Sequence, residues 1–106
     1  MQVLFDQGTP APLRQFLSQH EVATAYERGW SALKNGELLQ AAEKAGFAVL
    51  VTTDMSLKYQ QNLAGRHIAI VVLSTTSWPR IRAAAEEVAF AIAQSNAGSY
   101  IELQIP

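Results

Sequence analysis

Two aspartates in this chain close apolar runs in the same manner. In MQVLFDQGTP the run Val3-Leu4-Phe5 ends on Asp6, and in AVLVTTDMSL an apolar run passes through Thr52 and Thr53 to Asp54. A short apolar run reads as a buried strand, so each carboxylate stands at a strand's carboxyl end. In open α/β sheets, ligands bind outside that end, where the strand order reverses. If the two strands are neighbours across the reversal, the carboxylates face one another over a crevice. Like charges so placed repel unless one takes a proton or a cation lies between them. The chain has no cysteine and no suitably spaced histidine pair, so an oxygen-only ligand set favours Mg²⁺ or Mn²⁺ over zinc. Such an ion binds a phosphate oxygen and lowers the pKa of a bound water, which suits hydrolysis of a phosphodiester. Each aspartate alone reads equally as the cap of the following turn; their repetition is what points to a site.

The elements that must position this pair follow from periodicity and breakers. Residues 2–5 read as a strand. Thr9 is the expected N-cap of a helix through Leu13, Phe16 and Leu17, with Pro10 and Pro12 in its first turn. Residues 21–25 form a short second strand. Asn35 is the expected cap of a helix over 36–45, with Leu38, Leu39 and Ala42 on its apolar face and Gly46 as its stop. Residues 47–52 make a strand without alternation, as when both faces are covered. A helical turn is expected over 55–63, and the clearest buried strand over 68–73. Ser77 and Pro79 open the longest helix, in which Ile81, Ala85, Val88 and Ile92 recur at helical spacing. Asn96-Ala97-Gly98 ends it before an edge-like strand over 100–105. Alternating strands and helices predict an α/β fold. We expect a three-layer arrangement of about five mostly parallel strands with helices on both faces, residues 1–106 forming one domain.

Composition narrows the function classes. The formal net charge is −1, so no global basic field marks a nucleic-acid binder. No apolar run exceeds six residues, the length of Ile68 to Leu73, far below the ~20 needed to span a bilayer. Asp6 interrupts any leader-like stretch, and the lack of cysteine suits a reducing compartment; a cytoplasmic location without membrane association is expected. Charged residues are 16%, against about 25% in a typical soluble domain, beside 49% apolar residues. Part of the surface is therefore expected to be covered by another copy or a dedicated partner.

The segments LFDQGTPAPLRQFL, KNGELLQAAEKAGFAVLVTTDMSLKYQ and IAIVVLSTTSWPRI, in this order, resemble the small PIN-like domains related to VapC-type toxin ribonucleases. The resemblance spans most of the chain. It implies RNA cleavage dependent on Mg²⁺ or Mn²⁺ by a cluster of acidic and polar residues, and partnership with an antitoxin protein. Carried onto this sequence, it makes Asp6 and Asp54 metal ligands and catalytic residues. The usual aspartate at the start of the middle helix is replaced by Asn35, an uncharged oxygen ligand, and Glu37 two residues on is the candidate acidic substitute. After the fourth strand a polar position is filled by Ser74, Thr75 or Thr76. With only two certain carboxylates, a weakly active or inactive binding module acting through protein or RNA contacts is the alternative.

Other residues carry weaker signals. Arg80 and Arg82, in the first turns of the long helix, could hold an RNA backbone with Ser74 and Thr75; Arg14, Lys58 and Arg66 are less well placed. Trp30 and Trp78 could stack bases, although packing is the commoner role. Residues 59–62, Tyr-Gln-Gln-Asn, form a polar stretch within reach of a nucleotide. His20 and His67 read as structural, and Phe90 falls off its helix's apolar stripe, as at an oligomer contact. Two phosphate chemistries are disfavoured. Aligned on Gly8-Thr9, the DxDGT motif of haloacid-dehalogenase-like phosphatases finds Phe5 and Gln7 in place of its aspartates. A response-regulator receiver needs an acidic pair after the first strand, which Gln7 breaks, and a lysine after the fifth, which SYIELQIP lacks.

Overall fold

Five short strands make a single sheet: β1 (Gln2–Phe5), β2 (Glu21–Thr24), β3 (Val49–Thr52), β4 (Ala69–Leu73) and β5 (Tyr100–Leu103). The computed structural model describes residues 1–57, 63 and 65–106. The strand order is β2-β1-β3-β4-β5, and every pairing is parallel, so the fold is α/β. All residues of β3 and β4 are buried, as their unbroken apolar runs predict, whereas the edge strands β2 and β5 are half-covered.

Alternate side chains feed two apolar clusters, one on each face. Val3, Phe5, Val49, Val51, Val71 and Leu73 pack with the 3₁₀ segment Ala11–Phe16 and with α2 (Trp78–Ala83) and α3 (Ala85–Gln94). Leu4, Leu50, Ile70 and Val72 pack with Leu38, Leu39 and Ala42 of α1 (Asn35–Lys44) and with Leu57. Burying one such leucine contributes about 2 kcal/mol. Gly46, at a φ of 89°, ends α1 in the left-handed conformation that glycine adopts without strain.

The connection from β1 to β2 and that from β4 to β5 lie on the same face but run in opposite directions across the sheet, so they have opposite hands. The α1 connection, from β2 to β3, lies on the other face. The chain thus leaves β1 toward one face and leaves β2 and, as far as Leu57, β3 toward the other, the arrangement that opens a crevice at the strands' carboxyl ends.

Three local expectations are corrected. Thr9 does not cap a helix: Pro10 precedes the 3₁₀ segment, and the Thr9 side chain turns inward, buried. Asn35 is the first residue of α1 rather than its cap; Lys34 takes the cap position, with its backbone N–H bonded to the Glu37 carboxylate. The long helix is two, because Ala84, at φ −107° and ψ 17°, leaves helical geometry between α2 and α3. The helical turn expected over 55–63, Lys58 and the polar stretch 59–62 lie wholly or mostly outside the described residues.

Candidate functional site

β1 pairs with β3, the register running Val3 with Val49 to Phe5 with Val51. One step further, the Asp6 backbone N–H donates to the Val51 carbonyl at 3.1 Å, which sets Asp6 beside Thr52. The two strand-end aspartates therefore belong to adjacent strands, Asp6 one residue beyond β1 and Asp54 two beyond β3.

Each carboxylate is held by neutral donors. Oδ1 of Asp6 accepts from the Thr9 backbone N–H (3.1 Å) and the Thr9 hydroxyl (2.7 Å), and Oδ2 accepts from the Thr52 hydroxyl. Thr9 and Thr52 are the two buried polar residues among those described. The Thr52 hydroxyl oxygen also accepts the Asp54 backbone N–H at 3.1 Å, so one buried side chain joins both aspartates. Asp54 accepts at Oδ1 from the Ser56 backbone N–H (2.9 Å) and hydroxyl (2.7 Å), and at Oδ2 from the Asn35 amide (2.8 Å). The Ser56 hydroxyl, the Ser56 N–H and Asn35 hold the Asp54 carboxyl below the usual carboxylate range, against the upward push of burial. Among the described residues, its anion is favoured by donated hydrogen bonds.

Gly8 brings the two loops into contact. A Cβ built on it would lie 2.4 Å from Oγ1 of Thr53, closer than any side-chain carbon tolerates. With any other residue here, the Thr53 side chain would have to move for the loop after β1 to settle against the loop after β3.

The other predicted residues divide. Asn35 joins the aspartates through Asp54. Glu37 is exposed, its carboxylate spent on the Lys34 N–H. Ser74 accepts the Ile105 backbone N–H at 2.8 Å and Thr75 accepts the Ser77 N–H at 3.1 Å, so both brace the chain after β4. The Arg80 guanidinium donates to the carbonyls of Ile105 (2.8 Å) and Pro106 (2.9 Å), holding the last residues rather than facing Asp6. Arg82 is exposed and borders a hollow with Phe16, Glu86 and Glu87. Arg14 pairs with Glu27 through two hydrogen bonds, and Arg66 pairs with Glu43 at 2.6 Å. Among the described residues no three Asp, Glu, His or Cys side chains gather to hold a metal ion.

Two concavities meet at the Asp6-Gln7-Gly8 loop. One is an open groove of about 970 Å³ that runs past Thr9, Arg14, Tyr26 and Trp78. The other, about 150 Å³, lies toward Trp30, Ser31, Asn35 and Leu38. Trp30 packs edge-on against Phe47, with ring centroids 6.1 Å apart, and Trp78 tilts against Phe16 at 6.0 Å. His20, whose pKa burial pushes down, has a buried Nδ1 without a hydrogen-bond partner among the described residues, and His67 is exposed.

Sequence reasoning missed Thr9, Thr52 and Ser56. The signal was present: Asp6-Gln7-Gly8-Thr9 and Asp54-Met55-Ser56 each set a hydroxyl two or three residues after the aspartate, the spacing of side-chain-closed turns. The chain matches no family model, no curated protein and no solved structure.

Proposed function

We propose that this chain is a PIN-like ribonuclease that cleaves RNA phosphodiesters with Mg²⁺ or Mn²⁺ held at Asp6 and Asp54. The observation that carries this reading is the β1–β3 pairing, which sets two strand-end carboxylates on neighbouring strands with one threonine bonded to both. The donor set fits the ion. Mg²⁺ prefers hard oxygen ligands, keeps several waters, and is commonly bound by only one or two protein carboxylates together with substrate phosphate. Both carboxylates have their orientation fixed by Thr9, Thr52, Ser56 and Asn35, and neutral donors of this kind leave their charge available to a cation. The bound ion supplies an activated water and polarises the scissile phosphate; the protein's part is to orient its two anchoring carboxylates. The lack of cysteine accords with a cytoplasmic setting. Phe90, 67% exposed on α3, and the low charge fraction support association with a second copy or an antitoxin protein.

Cleavage of RNA by the wild type in Mg²⁺ or Mn²⁺ should fall by about 100-fold or more in Asp6→Asn and in Asp54→Asn, since even residues that merely support a metal's ligands are worth 10–100-fold. Activity that survives both substitutions rejects the assignment.

A second reading is a binding module without catalysis. Its support is the donation of the Asn35 amide hydrogen to Asp54 where a third carboxylate would otherwise add charge. Calorimetry separates the two: absence of heat on titration with millimolar Mn²⁺ favours the module and ends the nuclease reading.

A further inference from the structure

We propose that the small cavity beside Asp6 is a nucleobase pocket, taking one unpaired base of a single-stranded RNA whose strand continues along the open groove on the other side of the Asp6-Gln7-Gly8 loop. This rests on the nuclease reading and adds to it the substrate class and the residue that selects it.

Size is the first argument. The cavity is about 150 Å³, and an apolar cavity of roughly that volume holds a single benzene ring. It is too small for a drug-sized ligand, whose sites run from about 300 Å³ upward. One planar ring fits, and a base pair does not.

The lining is the second. Trp30 and Leu38 offer apolar surface, while Gln7, Ser31 and Asn35 bring amide and hydroxyl groups to the same wall. That mixture matches a base, which has a stacking face and a polar edge. The indole is also set in advance. Arg28 lies 4.8 Å above its ring centroid and 5.3 Å from that of Phe47, and Phe47 meets it edge-on. Neither Arg28 nor Phe47 lines the cavity, and a platform held by such neighbours loses little freedom when a base arrives, so more of the stacking energy appears as affinity.

Placement is the third. Asp6, Gln7 and Gly8 line both the cavity and the groove. A strand with one base in the cavity must cross that loop to reach the groove, and so carries its backbone past the Asp6 carboxylate. The groove continues past Tyr26, 77% exposed, and Trp78, two more aromatic surfaces suited to single-stranded bases. A duplex keeps its bases stacked inside and cannot enter.

The test measures binding separately from cleavage. In a Trp78→Phe background, where Trp30 is the sole indole, uridine and a short oligouridylate are titrated in the presence of EDTA. Quenching of Trp30 emission by both, with no binding of a duplex of the same length, is expected. Trp30→Ala should weaken oligouridylate binding by about tenfold to a hundredfold, the usual worth of one base–aromatic stack, and Trp30→Phe should recover part of that loss. Should the alanine variant fail to fold, the uridine titration and the phenylalanine variant decide. Unchanged Trp30 emission with uridine, equal affinity in wild type and Trp30→Phe, or quenching only by a protein partner would overturn the pocket. Trp30-dependent binding without metal-dependent cleavage would remove the nuclease reading and leave the pocket. Cleavage indifferent to Trp30 would do the reverse.

Discussion

The corners around Asp6 and Asp54 look alike in sequence and differ in how they are held. Asp6 is gripped by two buried threonines, one across the sheet on β3, so its carboxylate is a structural tie between β1 and β3. Asp54, half-buried like Asp6, is held instead by partners that are themselves only half-buried, the nearby Ser56 and Asn35 at the start of α1. Removing a partner from a buried group leaves an unsatisfied donor or acceptor, whereas a more exposed group turns to water. One aspartate should therefore matter to folding and function together, the other mainly to function.

The sharpest way to break this contrast is to delete each carboxylate. Asp6→Ala deprives the Thr52 hydroxyl of its acceptor and leaves the Thr9 hydroxyl only the Val51 carbonyl, 3.0 Å away, and should cost about 3 kcal/mol of stability, against about 1 kcal/mol for Asp54→Ala, measured by urea unfolding. Equal losses would dissolve the distinction. Thr52→Val, nearly isosteric, should cost about 2 kcal/mol because it strips a donor from Asp6 and an acceptor from the Asp54 N–H. Its cleavage rate should fall even where the protein remains folded. Gly8→Ala should cost about 1 kcal/mol by forcing Thr53 aside, with a larger proportional loss of cleavage than of stability.

The smallest effect is on pH dependence. The folded Asp54 pKa lies below its unfolded value, so its contribution to stability is present above the unfolded pKa and is lost as pH falls through the folded one. Ser56→Ala removes the largest cause of that depression. The variant's stability should change less with pH between the ordinary aspartate range and strong acid, as unfolding titrations would reveal. A variant with the wild-type slope would mean that Ser56 does not hold the Asp54 anion.

What could be read in the chain beforehand was mostly what apolar runs encode. The apolar runs through Leu4, Leu50 and Val71 marked buried strands, and Asp6 and Asp54 stood just past the carboxyl ends of the first two. Thr9 misled because a hydroxyl before Pro10 is a good helix cap in isolation, whereas here the half-buried Asp6 carboxylate three residues earlier competes for it and wins. Asn35 misled for a related reason: with Lys34 at the cap, its amide points to a group reached only through the tertiary fold. Arg80 looked like a phosphate ligand near a helix start, yet the carbonyls of Ile105 and Pro106 come from a distant segment. The face taken by the chain between β4 and β5 has no local signature, since α2 and α3 carry apolar stripes that fit either side.

The place of β1 within the sheet has a consequence for how the chain is made. It is made before the four strands that follow it, yet Val3 must wait for Val49 before its second neighbour exists. Until then it can pair only with the half-covered β2, and Phe5 and Leu4 have little to shield them. Parallel pairings of such wide separation close slowly, and nascent apolar segments left open in the meantime are prone to stick to one another. Synthesis of this protein should accordingly benefit from chaperones that shelter the first half of the chain until the third strand emerges.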